Sequence, residues 1–284
     1  MQVFAVEASG LHSICRQIVE VNDLSEVITV IHSTIEDCQL PVDSVDVIVS
    51  EWMGFYLLHE SMLDSVIFAK NKWLAHDGIL VPSSASLLFS PVCLKAHVKE
   101  NISIWDKFHG FNFSPLKDLV LAKHMTQPTV MTVKPSELIA EPREIVSLHL
   151  KHAQTEDIAS FKEMFEFKIS KHALCHGFGV WFKCTFDTGA ADCCIVNLDT
   201  SPHADVTHWK QTVVMLPDTL MLSKDENLSC SISFEQSKEN KRHYNIGVEI
   251  HDDVTTEESE SETECPGELC DNDAMVKCIV EKME

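Results

Sequence analysis

Two glutamates, Glu51 and Glu60, stand nine positions apart in the stretch SEWMGFYLLHESM, which is otherwise largely apolar and aromatic. Gly54 lies between them, so a hairpin-like turn can bring both carboxylates to one point, walled by Trp52, Phe55 and Tyr56. Two like charges in a poorly solvated site repel each other unless a cation lies between them. The pair predicts either a clamp for a planar guanidinium, whose forked N–H donors match carboxylates, or the two acids of a retaining glycosidase. The composition of the stretch does not distinguish a guanidinium clamp from a glycosidase site.

Two further acids follow predicted strands and could hold a nucleotide. Glu7 ends the run VFAVE, and an acid at the end of a second parallel strand commonly hydrogen-bonds a ribose. Glu36, in STIED after the next strand, could bond an adenine amino group, although each acid also suits a solvated turn. The glycine-rich turn that such a site needs has no counterpart, because Gly177 and Gly179 lie in the other half of the chain and are interpreted as strand or hairpin glycines.

The elements that would position these acids alternate between strand and helix in the first eighty residues. Residues 3–6, 27–31 and 45–49 read as buried strands, and apolar residues from Leu11 to Val19 recur at helical spacing. A second helix is predicted near 61–75, with Ser61 and Asp64 as a possible capping box. This alternation predicts a parallel sheet with the acids at one edge.

Beyond residue 82 the pattern changes to short alternating runs separated by turn residues, which is typical of an antiparallel sheet. Residues 98–137 interrupt that pattern with a partly helical, aromatic segment, which is too long for an ordinary loop. It is interpreted as an arm that docks elsewhere or as a surface excursion. Residues 251–284 form a tail that is predicted to be disordered, because it is acidic and contains no Phe, Trp or Tyr.

The charge of the chain restricts its partners. It carries 44 acidic and 22 basic residues, a formal net charge of −22, of which the segment from Asp252 to Glu284 contributes −10. An acidic protein repels nucleic-acid backbones and anionic membranes and attracts basic ligands. We therefore expect no direct nucleic-acid contact and no membrane partner.

The eleven cysteines show no metal-ligand spacing and no regular disulfide pattern, so we expect reduced, mostly buried thiols and no metal site. Neither a signal peptide nor an apolar run long enough to span a bilayer is present, which predicts an intracellular soluble protein.

The stretch SEWMGFYLLHESML resembles the double-glutamate loop of the protein arginine N-methyltransferases, and Thr207-His208-Trp209 in DVTHWKQ resembles the THW loop of the same family. The resemblance extends from Val3 to about Ile250. It implies a type I enzyme that uses S-adenosylmethionine to produce monomethyl and asymmetric dimethyl arginine in proteins such as histones, in the nucleus and cytoplasm.

The implied fold is α/β followed by β. A partial Rossmann-like methyltransferase sheet (1–81) precedes an antiparallel β-barrel substrate domain (82–250), whose arm at about 98–137 makes a homodimer. The resemblance also implies site roles. Glu51, Glu60 and His208 would be catalytic; Trp209, Tyr56 and Met53 would bind the substrate; the cofactor would contact Glu7, Ile35, Glu36 and Met62.

The sequence departs from the family at its start, where the first strand and the glycine-rich turn have no counterpart. The expectation is that this chain alone binds S-adenosylmethionine weakly and methylates poorly. The alternative interpretation is an inactive dimerising fragment that captures basic proteins.

Overall fold

The computed structural model describes residues 1–189 and 193–251, together with the strand at 277–280. Most of the predicted acidic tail lies outside the described residues.

The first part of the chain forms two parallel strand pairs. Strand β1 pairs with β2, with Glu7 opposite His32, and β3 pairs with β4, with Val49 opposite Val81. Within the described residues the two pairs are separate sheets. The predicted strands and helices are present, with these bounds: β1 Val3–Glu7, α1 His12–Val21, β2 Ile28–His32, β3 Val45–Val49, α2 Met62–Trp73 and β4 Leu74–Val81.

The prediction that these strands are buried is wrong. Most residues of β1, β2 and β3 are only partly covered or exposed, and Val49 is 73% exposed. Helix α1 also leaves its apolar residues open, among them Ile18 at 56% and Val21 at 79%. Apolar periodicity identifies the element but not how much of it is covered. Ala69 and Trp73 of α2 pack against Val6, Ile31, Val45 and Ile48 of these strands, so the strands are partly covered.

The predicted capping box at the start of α2 is also wrong. Ser61 adopts a left-handed backbone conformation with φ of 51° and makes no side-chain cap. Its hydroxyl instead donates to the carbonyl of Lys241, far away in the sequence. The Ser61 side chain therefore makes a tertiary contact and not the helix cap that the local sequence pattern predicts.

The predicted antiparallel half is confirmed, and its strands form two sheets. One follows the order β6-β11-β9-β5-β7, with β10 added beside β9, and the other follows β14-β13-β12-β8. Three helices accompany them: α3 Lys95–Asn101, α4 Leu116–Thr126 and α5 Glu156–Ala159. The strands are β5 Ser84–Val92, β6 Thr129–Met131, β7 Arg143–His149, β8 Ser160–Lys168, β9 Ala173–Phe186, β10 Val196–Asp199, β11 Gln211–Leu222, β12 Asn227–Gln236, β13 Tyr244–His251 and β14 Lys277–Val280.

The two antiparallel sheets share one aromatic core. Phe89 of β5 lies 5.0 Å from Phe167 of β8 and 5.7 Å from Phe178 of β9, measured between ring centroids. The same core continues to the double-glutamate loop, because Tyr56 lies 6.1 Å from Phe234 of β12. Burying a phenylalanine contributes about 1.5–3 kcal/mol, so this core fixes the loop against the antiparallel half.

The predicted arm at about 98–137 is partly helical, as expected, and contains most of α3, all of α4 and β6. Trp105, Phe108 and Phe113 gather in a local cluster with centroids 5.2–6.3 Å apart. Phe111 nevertheless remains 71% exposed and Leu119 68% exposed. The arm thus presents apolar side chains to its surroundings.

Of the tail, the described residues are His251, at the end of β13, and 277–280, which form strand β14 beside β13. Eight cysteines of the described chain are free thiols. Cys38, Cys175, Cys184 and Cys230 are buried as predicted, whereas the adjacent Cys193 and Cys194 are exposed because they lie in the turn between β9 and β10. No helix in the described ranges is long and apolar enough to span a membrane.

Candidate active site

The double-glutamate loop is a tight turn between β3 and α2. Gly54 and Leu57 exchange two backbone hydrogen bonds of 2.9 Å, so Phe55 and Tyr56 form the tip and the chain returns on itself. Leu57 takes a left-handed φ of 68°. The return carries Glu60 back toward Glu51, as the sequence predicted.

Gly54 is required by the close approach of the returning chain. A Cβ atom at this position would lie 2.1 Å from the carbonyl oxygen of His59, far inside van der Waals contact. Only glycine allows the two limbs of the loop to pack this closely.

Both carboxylates line one solvent-open cavity of about 180 Å³. Its lining comes from the loop, the start of α2 and the loop before β11: Glu51, Trp52, Met53, Gly54, Phe55, Glu60, Met62, His208 and Trp209. Segments about 150 residues apart in sequence therefore meet at the predicted site.

Glu51 and Glu60 differ in their surroundings. Glu51 lies near the buried thiol of Cys184, whose pKa is raised to about 12 by burial and, to a smaller extent, by the charge of Glu51. Glu60 Oε2 accepts a 2.8 Å hydrogen bond from the guanidinium of Arg242. The second acid of the site therefore already binds a guanidinium from its own chain.

Sequence reasoning missed Arg242. The segment SKENKRH (237–243) reads only as a weak basic cluster, and a contact between residues 182 positions apart leaves no periodic signal. Trp52 and Phe55 were predicted as walls and do line the cavity.

Trp209 ties the THW loop to the double-glutamate loop. Its indole N–H donates to the carbonyl oxygen of Met53 at 2.8 Å, and its ring packs edge-on against Phe182 at 5.5 Å. His208 is exposed, lines the same cavity and lies 3.8 Å from the Trp209 ring, measured between centroids. The indole thus fixes the wall against which the imidazole lies.

The prediction that Tyr56 shapes the arginine slot needs correction. Tyr56 is 1% exposed and is absent from the residues described as lining the cavity. Its hydroxyl lies 3.3 Å from His59 Nδ1 and accepts a bond from the Tyr244 backbone N–H at 3.3 Å. Because the turn directs this ring into the aromatic core, Tyr56 supports the loop from behind.

Glu7 lies at the carboxyl end of β1, where the sequence predicted a ribose-binding acid. The side chain and backbone N–H of Ser9 hold the pKa of Glu7 below its usual range, and the N–H bond is 2.7 Å long. An ionised carboxylate at a strand end can accept hydrogen bonds from a ribose diol. Glu7 does not line the cavity described above.

Helix α2 connects Glu36 with that cavity. Glu36 Oε1 accepts a 2.6 Å hydrogen bond from Ser65 Oγ, and Met62, one helical turn earlier, lines the cavity. Residues three apart are neighbours on a helix surface. Ile35 packs beside Glu36 against the small core of Cys38, Ala69 and Trp73. The residues predicted for an adenosine are thus linked by one helix to the two acids.

This geometry favours a guanidinium clamp over a glycosidase. A retaining glycosidase needs one carboxyl group protonated as a general acid, usually in an apolar pocket. Here Glu60 acts as the acceptor for a guanidinium, and Glu51 is exposed. The described residues also contain no cluster of metal-binding side chains.

Comparison with known proteins agrees with this geometry. A family model described as the arginine methyltransferase oligomerization subdomain matches residues 83–253. Protein arginine N-methyltransferase 1 of Chlamydomonas reinhardtii is 36% identical over 246 residues, which cover 87% of this chain and 69% of the relative. Probable protein arginine N-methyltransferase 1.2 of Arabidopsis thaliana is 35% identical, with 86% and 64% covered.

Solved structures match as well. The Trypanosoma brucei PRMT1 enzyme-prozyme heterotetrameric complex with AdoHcy superposes with a TM-score of 0.79 at 30% identity, covering 88% of this chain and 76% of that one. A structure of PRMT6 superposes with a TM-score of 0.71 at 27% identity, with 88% and 84% covered. These proteins combine a Rossmann-like part with a β-barrel.

Proposed function

The chain belongs to the protein arginine N-methyltransferase family, and we propose that it transfers methyl groups from S-adenosylmethionine to guanidinium nitrogens of arginine in proteins, giving monomethyl and asymmetric dimethyl arginine. The observation that carries this proposal is that Glu51, Glu60, His208 and Trp209 line one cavity. The family shows the class of reaction, and the geometry supports the assignment of roles.

The two carboxylates solve the main difficulty of the reaction. Free arginine is a poor nucleophile because its lone pair is delocalised and its pKa exceeds about 12. Glu51 and Glu60 would grip the substrate guanidinium from two sides and hold one terminal nitrogen in a fixed direction. Their negative charges would also balance the positive charge that develops on that nitrogen.

The residues present fit the adenosine part of S-adenosylmethionine. Glu7 would accept hydrogen bonds from the ribose, Glu36 and Ile35 would contact the adenine, and Met62 would pack against the cofactor at the cavity. When bound, the cofactor supplies an electrophilic methyl group on its sulfonium. The chain's own side chains aim the acceptor, and His208 would take up the proton that the guanidinium releases.

Basic proteins such as histones, and arginine-glycine-rich segments, are the proposed substrates. The net charge of −22 attracts basic chains over a distance of about a Debye length. We place the protein, with such substrates, in the nucleus and cytoplasm.

A homodimer is the proposed assembly, with the arm as its contact. The arm carries exposed apolar side chains, including Phe111 and Leu119, and the matched family model is named for oligomerization. Changing Phe111 and Leu119 to Asp should give a folded monomer by light scattering. A variant that keeps the dimeric mass would exclude the arm as the contact.

A tritiated-methyl assay on an arginine-glycine-rich peptide tests the function. Wild type should incorporate label at a low rate, and Glu51→Gln and Glu60→Gln should each lower that rate about 100-fold or more. Glu163→Gln, an exposed change on β8, is the matched control and should keep wild-type incorporation. Capture of basic proteins without any incorporation would instead support the inactive-fragment alternative.

A further inference from the structure

We infer that Arg242 is a positioning residue of the arginine clamp, which holds the Glu60 carboxylate in its working orientation and balances the charge of the two acids. The inference rests on the proposed function. Arg242 lies in the turn between β12 and β13, at residues 237–243.

Arg242 contacts Glu60 at both ends of that residue. The Glu60 backbone N–H donates to the Arg242 carbonyl oxygen at 2.8 Å, and Arg242 Nη2 donates to Glu60 Oε2 at 2.8 Å. The backbone contact fixes the position of the Glu60 main chain, and the guanidinium fixes the position of the Glu60 carboxylate. Oε1 has no partner among the described residues, so it remains available to a substrate guanidinium.

The backbone at Glu60 needs such support. Glu60 and Ser61 take consecutive left-handed conformations, with φ of 74° and 51°, which residues with a Cβ adopt only when their surroundings enforce them. The β12–β13 turn supplies that enforcement. Ser61 Oγ donates to the Lys241 carbonyl, and Gln236 Nε2 donates to Ser61 Oγ at 3.0 Å and to Asp64 Oδ2 at 3.1 Å.

The charges also match the proposed chemistry. Two carboxylates around one substrate guanidinium leave an excess negative charge, and like charges at a shared site repel. The Arg242 guanidinium neutralises one of them while leaving the clamp acidic enough to attract a cation. The two carboxylates, the Arg242 guanidinium and the bound arginine together then carry no net charge.

Fold stability alone does not explain this ion pair. The Arg242 and Glu60 side chains are 64% and 48% exposed, and an exposed ion pair contributes little to the free energy of unfolding. The backbone bond between the two residues uses the Arg242 carbonyl oxygen, which Gln or Lys at this position also provides. Its guanidinium can therefore be removed with small effects on folding.

Arg242→Gln and Arg242→Lys test the inference, with Arg143→Gln as the matched control. Arg143 is an exposed arginine, and the only bond of its guanidinium among the described residues is to the Glu166 carbonyl oxygen at 3.3 Å. We expect Arg242→Gln to lower kcat for an arginine-glycine-rich peptide about 10- to 100-fold, as misplacement of a catalytic group does. KM for S-adenosylmethionine and the urea midpoint should stay unchanged, and Arg242→Lys should recover part of the kcat.

Each outcome of these measurements either supports or overturns the inference about Arg242. A kcat of Arg242→Gln within twofold of wild type and of Arg143→Gln overturns the inference and leaves the proposed function intact. A loss that Arg242→Lys fails to reduce, although that variant is as stable as wild type, also overturns it. A wild-type chain that transfers no methyl group overturns the proposed function, and the inference with it.

Discussion

The indole N–H of Trp209 donates a 2.8 Å hydrogen bond to the carbonyl oxygen of Met53, and this bond joins two loops that are 156 residues apart in sequence. One loop carries Glu51 and Glu60, and the other carries His208. The bond therefore sets the distance between the proposed clamp and the proposed proton acceptor.

Trp209→Phe should separate the hydrogen bond from the packing of the ring. The phenyl ring can keep the contact with Phe182, while the Met53 carbonyl loses its partner. We expect the free energy of unfolding to fall by about 1 kcal/mol and kcat to fall about tenfold, measured by urea denaturation and methyl transfer. Unchanged kcat would mean that the two loops keep their spacing without this bond.

Gly54→Ala should disrupt the double-glutamate loop. The added Cβ would meet the His59 carbonyl at 2.1 Å, so the turn must open at a cost of about 1–3 kcal/mol. Gly10→Ala is the control, because a Cβ there meets nothing within 4 Å. Equal urea midpoints for both variants would show that the loop has room to relax.

The sequence predicts the elements and the meeting of Glu51 with Glu60, because both follow from local patterns. It does not predict which ring of the turn faces the cavity. The directions of Phe55 and Tyr56 depend on the geometry of the turn, which the sequence pattern does not give. The Ser61 cap fails for the same reason that Arg242 was missed. Both side chains take part in contacts made in the folded chain, about 180 residues away in sequence.

The pKa of His59 should make stability depend on pH. Burial, and then the charge of His243, lower this pKa below its ordinary value of 6.5, and Glu60 opposes the change. The unfolded chain therefore takes up the proton first as the pH falls. Stability from this group is complete above pH 6.5 and is lost as the pH falls toward the folded-state pKa.

His59→Asn should accordingly reduce the loss of the urea midpoint between pH 7.5 and pH 5.5. His76→Asn serves as the control, because the His76 side chain is 98% exposed. If both variants lose as much stability on acidification as wild type, other groups govern this range.

Buried and exposed cysteines of the described chain should differ strongly in their rates of reaction with iodoacetamide at pH 8. Burial raises the pKa of Cys175, Cys184 and Cys230 to about 12, and the thiolate is the reactive form. Cys193 and Cys194 are exposed. Among these five cysteines, peptide mass spectrometry should find Cys193 and Cys194 alkylated first and the buried three only after unfolding. Early alkylation of Cys184 would show that the region behind Glu51 opens in the native state.

The bond between Glu60 and Arg242 also has a consequence for synthesis. Glu60 precedes Arg242 by 182 positions, and chains emerge from the ribosome with their N-terminal parts free to fold first. The strands and helix around Glu60 can form early, but the residue that orients its carboxylate is translated much later. A nascent chain therefore carries both acids long before it holds a finished clamp.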